Sequence, residues 1–136
     1  MEEKFYVIER HDSYIWIQFR RGTQVNPDMI LEAIDQLNAL YKNQHRRDLW
    51  DFRGCMPSAD FGYDAMTRIV DNIQSRAPSI WAEMTALLID DTILYGLSRM
   101  YQILADGYPT EIGIFQNEAD ARRWIAGKTE SEANKL

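Results

Sequence analysis

Arg47-Asp48-Leu49-Trp50-Asp51-Phe52-Arg53-Gly54 is a run of β-forming and aromatic residues that stops at a glycine. A helical pattern precedes it, and two strand–helix pairs follow it. In an open α/β sheet a strand so placed lies near the middle, and the loop Cys55–Ala59 leaves its carboxyl end. Ligand and regulatory sites of such sheets favour that edge. The remaining elements are placed around this strand.

Upstream, Phe5–Glu9 and Tyr14–Arg20 are rich in β-branched and aromatic residues and are joined by the polar His11-Asp12-Ser13, which predicts a hairpin. Ile15, Ile17 and Phe19 alternate with Tyr14, Trp16 and Gln18, so one face is apolar. Trp16 and Tyr14 fall on the other face, where they are suited to self-association as a homodimer. Asn26-Pro27-Asp28 opens a helix, with Asn26 as N-cap, Pro27 in the first turn and Asp28 at the positive end of the dipole. Ile30, Ile34, Leu37 and Tyr41 recur at helical spacing, so the helix is expected to reach about Lys42, with His45-Arg46-Arg47 as the return loop.

Downstream, Ser58 and Asp60 are alternative N-caps for a helix whose inner face carries Phe61, Met66, Ile69, Val70 and Ile73, and Pro78 closes that segment. Met84–Ile89 is nearly continuous in apolar character, as in a strand covered on both faces. Asp90-Asp91-Thr92 caps the next helix, with Ile93, Leu97, Met100, Tyr101 and Leu104 facing inward and Gly107 at its end. Glu111–Phe115 is the last strand, and Asn117 caps a final helix in which Ala121, Trp124 and Ile125 pack down. The order is ββαβαβαβα. This is an α/β domain with a mixed, mostly parallel sheet packed with helices, whose first strand is the antiparallel member. It is expected over residues 1–127, with 128–136 as a polar tail that frays.

A chain of 136 residues suits one core. The net charge of −6 argues against nonspecific nucleic-acid binding or docking on an anionic membrane, and it is compatible with a basic protein partner. Cys55 is the single cysteine, which excludes an intramolecular disulfide. The charged start Met1-Glu2-Glu3-Lys4 is unlike a signal peptide, and no apolar run reaches the roughly 20 residues of a membrane span, so a cytoplasmic protein is expected.

Leu49-Trp50-Asp51-Phe52-Arg53-Gly54, Tyr95-Gly96-Leu97-Ser98-Arg99-Met100-Tyr101 after an acidic turn, and the strand and helix from Glu111 to Ile125 together resemble the STAS domain of bacterial anti-sigma-factor antagonists. The likeness is closer to the SpoIIAA-like group of small bacterial proteins, and it spans about Phe5 to Ala126. The resemblance implies a regulatory, protein-binding role. Phosphorylatable members of that fold are similar in placing an Asp-Ser-Ser-Gly-like tetrad at the start of the helix after the central strand. The corresponding tetrad here is Ala59-Asp60-Phe61-Gly62, with Phe61 at the acceptor position and Ser58 a few residues earlier. A phosphoserine switch of the familiar kind is therefore not expected.

Other constellations have plainer explanations. Asp51, Asp90, Asp91, Asp60 and Asp64 gather at strand ends, where carboxylates can hold Mg²⁺. Helix caps and an ion pair of Asp51 with Arg53 or Arg99 account for them better than a metal or an Mg-dependent hydrolase. Cys55 has no histidine partner in sequence, and one cysteine with two dispersed histidines has no zinc spacing. Gly96 inside a helix suggests close backbone approach. The expected function is a non-enzymatic regulatory or protein-binding module without a cofactor. Its surface would comprise Arg53, Cys55, Ser58, Asp60, Asp91 and Arg99, with Phe61 presenting an apolar anchor where relatives present serine. The alternative is a carrier or sensor of a small hydrophobic, lipid-like ligand held by Tyr63, Met66, Tyr95, Met100 and Tyr101, by fold-level likeness to lipid-carrying CRAL-TRIO proteins.

Overall fold

The computed structural model describes residues 4–41, 46–75 and 82–134. Strands β1 (Tyr6–Arg10) and β2 (Ile15–Phe19) form the expected antiparallel hairpin. A two-residue strand, β3 (Gln24–Val25), leads into helix α1 (Pro27–Leu40). Then come β4 (Arg47–Asp51), a second two-residue strand β5 (Met56–Pro57) and α2 (Tyr63–Gln74). The chain continues with β6 (Met84–Leu88), α3 (Thr92–Leu104), β7 (Glu111–Phe115) and α4 (Glu118–Asn134). Lys42, His45 and Pro78 lie outside the described residues.

The main sheet has the order β1-β2-β4-β6-β7, so β4 is its centre, and every pairing except β1–β2 is parallel. Each parallel strand advances one place in the same direction. Crossovers of one hand then set α1, α2 and α3 on the same face. Ile15, Ile17, Phe19, Trp50, Phe52, Leu87 and Ile89 point from the sheet into that layer. Phe19 anchors it, with its ring 4.8 Å from Phe52 and 6.3 Å from Trp50.

The opposite face carries Leu49, Met84, Ala86 and Leu88 and is covered by Ala121 and Ile125 of α4. Tyr14 and Trp16 belong to this layer, which corrects the expectation of an outward aromatic pair available for dimerisation. The Arg122 guanidinium lies 5.4 Å over the Trp16 ring and donates to the Tyr14 hydroxyl at 2.8 Å. The helical backbone of α4 continues to Asn134, past the boundary drawn at Gly127.

Local chemistry starts the helices. Asn26 accepts from Met29 N at 2.9 Å, Asp91 from Ile93 N and Leu94 N at 3.0 and 2.9 Å, and Asn117 from Asp120 N at 3.1 Å. Helix α2 departs from expectation: its N-cap is Gly62, without a side-chain cap, and neither Ser58 nor Asp60 serves. The reason is the small parallel sheet of β3 and β5, reinforced by Ser58 N donating to Val25 O at 2.8 Å. It holds the loop extended through Pro57 and delays the helix. Two-residue strands carry no periodic pattern, so the sequence does not announce them.

Candidate functional site

The loop at the carboxyl end of β4 is held by its own side chains. Asp51, almost fully buried, accepts from Arg53 Nε at 3.0 Å and Nη2 at 2.8 Å, from Arg53 N at 3.1 Å and from Trp16 Nε1 at 3.2 Å. Arg53 also reaches Glu118 at 2.9 Å, which ties the loop to α4. Gly54 N donates to Asp90 Oδ1 at 2.9 Å, and Ser58 Oγ donates to Asp60 Oδ1 at 2.6 Å. Arg99 is exposed and donates to Gln102 rather than to Asp51. Each acidic residue of this edge except Asp64 thus has a partner or a cap, and among the described residues no three His, Cys, Asp or Glu side chains are placed to share a metal ion.

Two residues of this loop point inward. Phe61 is 7% exposed and joins the core with Met66 and Ile69; this agrees with its place on the inner face of the segment and corrects its expected role as an apolar anchor for a partner, because β5 turns the loop so that the ring is withdrawn from water. Cys55 is buried, donates to Arg20 O at 3.2 Å, and has its thiol pushed up to about 11 by burial. That raised thiol holds its proton at neutral pH, unlike a nucleophile. At the same edge Met56, Tyr63 and Ile93 are 46%, 59% and 64% exposed; Ile93 was expected to face inward.

A cavity of about 120 Å³ lies between the sheet and helices α1, α2 and α3. Its body is apolar: Trp50, Phe52, Leu87 and Ile89 form the floor, Ile34, Ile69 and Leu97 the opposite wall, and Phe61 with Leu94 one end. Met66 and Tyr101, two of the five residues proposed to hold a hydrophobic ligand, line it. Tyr63 and Tyr95 are on the surface, and Met100 packs against the core without reaching the cavity.

The other end of the cavity is polar and lies at the amino edge of the parallel strands, away from the loop singled out by sequence. Arg46 and Asp48 form a buried ion pair, with Nε 3.1 Å from Oδ1 and 3.2 Å from Oδ2. Burial drives the Asp48 carboxyl up to about 6, while Arg46 and a hydrogen bond from Trp50 pull the other way. Burial, with Tyr108 and Asp48 adding to it, raises the Tyr101 hydroxyl, which stays protonated. Ser98, Tyr108 and Thr110 are committed to the backbone oxygens of Leu94, Val70 and Ala82. Of three buried side-chain atoms without a hydrogen-bond partner among the described residues, two lie at this end, Arg46 Nη1 and Asn38 Oδ1; the third, His11 Nε2, is in the β1–β2 turn.

Sequence reasoning missed Asn38, Arg46 and Asp48. One signal was present. Arg46, Asp48, Trp50 and Phe52 share one face by period-two alternation, so two charges stand in line with two core aromatics on the central strand. An isolated charge facing a core is a functional hint when its partner is identified.

No protein-family model matches this chain, and no curated protein does. Its architecture is similar to the crystal structure of an uncharacterised protein of the DUF3478 family with a SpoIIAA-like fold from Shewanella loihica PV-4. The two share 14% identity with a TM-score of 0.54, over 88% of this chain and 91% of that one. The fold is therefore SpoIIAA-like: among the described residues it has a mixed sheet of five strands with four helices. Among the described residues no helix is long and apolar enough to cross a membrane.

Proposed function

We propose that this chain is a non-enzymatic SpoIIAA-like binding module that holds a small, mostly apolar molecule between its sheet and helices α1–α3. One observation carries the proposal: the cavity of about 120 Å³ under the three helices. Protein interiors are close-packed, and residual voids destabilise by about 24 cal/mol per Å³. By that measure an empty space of this size costs about 3 kcal/mol, which an occupant of matching shape recovers. The space is smaller than a typical drug-sized pocket, and its apolar walls with a few polar groups at one end suit a correspondingly small molecule.

The test is a methyl-resolved NMR titration with toluene, accompanied by thermal unfolding. Shifts centred on Ile34, Ile69 and Leu97, with a rise in Tm, are expected. Unchanged methyl resonances at millimolar toluene would sink the proposal.

Protein binding at the carboxyl edge is the second reading. It is favoured by the exposed Met56, Tyr63 and Ile93, which follow the ends of adjacent strands. In that case a partner perturbs these three side chains and leaves the cavity methyls unmoved.

A further inference from the structure

We infer that the ligand of this cavity is electrically neutral and carries a hydroxyl-type head that accepts a hydrogen bond from Arg46 and donates one to Asn38. The inference rests on the cavity reading above and specifies the chemistry of the occupant. Arg46 Nη1 and Asn38 Oδ1 are both buried, both belong to residues lining the cavity, and neither has a partner among the described residues. Arg46 is only 9% exposed. A buried donor or acceptor left unmade costs about 1–3 kcal/mol, so two of them at one end of an apolar cavity describe a missing polar group.

Charge selects among the heads that could fill the place. Arg46 is already neutralised by Asp48 at 3.1 Å. An anionic head would meet that carboxylate as well as the guanidinium and leave a net negative charge buried, and a cationic head would meet Arg46. A neutral head avoids both. An arginine only donates, so the head must accept. Asn38 can present its oxygen or its amide nitrogen by a half-turn, and a hydroxyl, which both donates and accepts, suits either orientation. A carbonyl suits one. Size sets the body: a cavity of roughly 150 Å³ accepts benzene, so in about 120 Å³ a single six-membered ring is the upper limit for the apolar part, with the head at the polar end.

Two matched pairs of probes test this at pH 7.5 on the whole chain: toluene against phenol, and benzamide against benzoate. Affinities come from NMR titration of the cavity methyls. In the wild-type protein, benzamide is expected to bind at least tenfold tighter than benzoate. The ratio of toluene to phenol dissociation constants is expected to fall at least tenfold in Asn38→Leu, because phenol loses its polar partner there while toluene keeps its apolar walls. Circular dichroism establishes that Asn38→Leu is folded. Should it fail to fold, the benzamide–benzoate comparison in the wild-type chain decides by itself.

Each contrary result has one meaning. A toluene-to-phenol ratio unchanged in Asn38→Leu would show that the head does not sit at this end, overturning the inference while leaving the cavity as a binding site. Benzoate binding more tightly than benzamide would overturn the neutral head in favour of an anion. If none of the four probes moves the cavity methyls, the inference and the proposed function fall together.

Discussion

Asp48→Asn sets two physical effects against each other, and the structure indicates which one wins. Removing one member of a buried ion pair commonly costs about 3–5 kcal/mol, because the other charge is left alone. Here, however, burial raises the Asp48 carboxyl from 3.8 to about 6 despite the adjacent Arg46. Desolvation of the carboxylate therefore outweighs its attraction to the guanidinium. At 1.36 kcal/mol per unit, the shift corresponds to about 3 kcal/mol.

The sign follows from proton binding. Between about pH 4 and pH 6 the folded chain holds the Asp48 proton while the unfolded chain has released it, so stability falls as pH rises through that window. Asparagine has the shape of the protonated side chain and does not titrate. Wild type and variant should have similar stability at pH 4. By pH 7.5 the variant should be the more stable by about 3 kcal/mol. Urea unfolding followed by tryptophan fluorescence at pH 4, 5, 6 and 7.5 measures the difference, provided m is unchanged. A variant that is less stable by about 3–5 kcal/mol at pH 7.5, with a difference that stays flat down to pH 4, would refute the reasoning and show that ion-pair attraction dominates.

Phe61→Ala should lose about 3–5 kcal/mol in urea unfolding, since Phe61 is buried against the cavity; a loss below about 1 kcal/mol would mean the ring faces solvent after all. Gly54 has φ +75°, and a Cβ there would lie 2.8 Å from Arg21 Cγ, so Gly54→Ala should cost at least about 1–2 kcal/mol. Gly96 has open space around it, contrary to the expected close approach, so Gly96→Ala should add up to about 1 kcal/mol; calorimetry on both glycine variants would expose a reversed order. Cys55 should resist a thiol reagent at pH 8 until urea unfolds the chain, and rapid native-state reaction would show that its thiol is accessible.

Much of the fold was legible because its causes are local. The alternation Ile15-Ile17-Phe19, the cap residues Asn26, Asp91 and Asn117, and the apolar run Met84–Ile89 each act within a few residues. The site was legible only in part. Met66 and Tyr101 line the cavity as their helical stripes predict, since such a stripe reports which side chains face inward. Phe61 was rightly set on an inner face but wrongly offered to a partner as well, because its exposure depends on the pairing of Val25 with Pro57, two residues far apart in sequence. Trp16 was misplaced for a related reason, since α4 returns across the second face only after the last strand.

The sequence by itself determined the order of elements, the central place of the Leu49–Phe52 strand and the direction of the sheet, since period, propensity and capping are short-range and one crossover hand is favoured. Only the tertiary structure decided where a ligand has room. A cavity is the volume left over when α1, α2 and α3 settle on the sheet, and no residue encodes it alone. The same holds for its polar end: whether Arg46 and Asn38 keep a free hydrogen-bonding atom depends on every group that does or does not reach them from other elements.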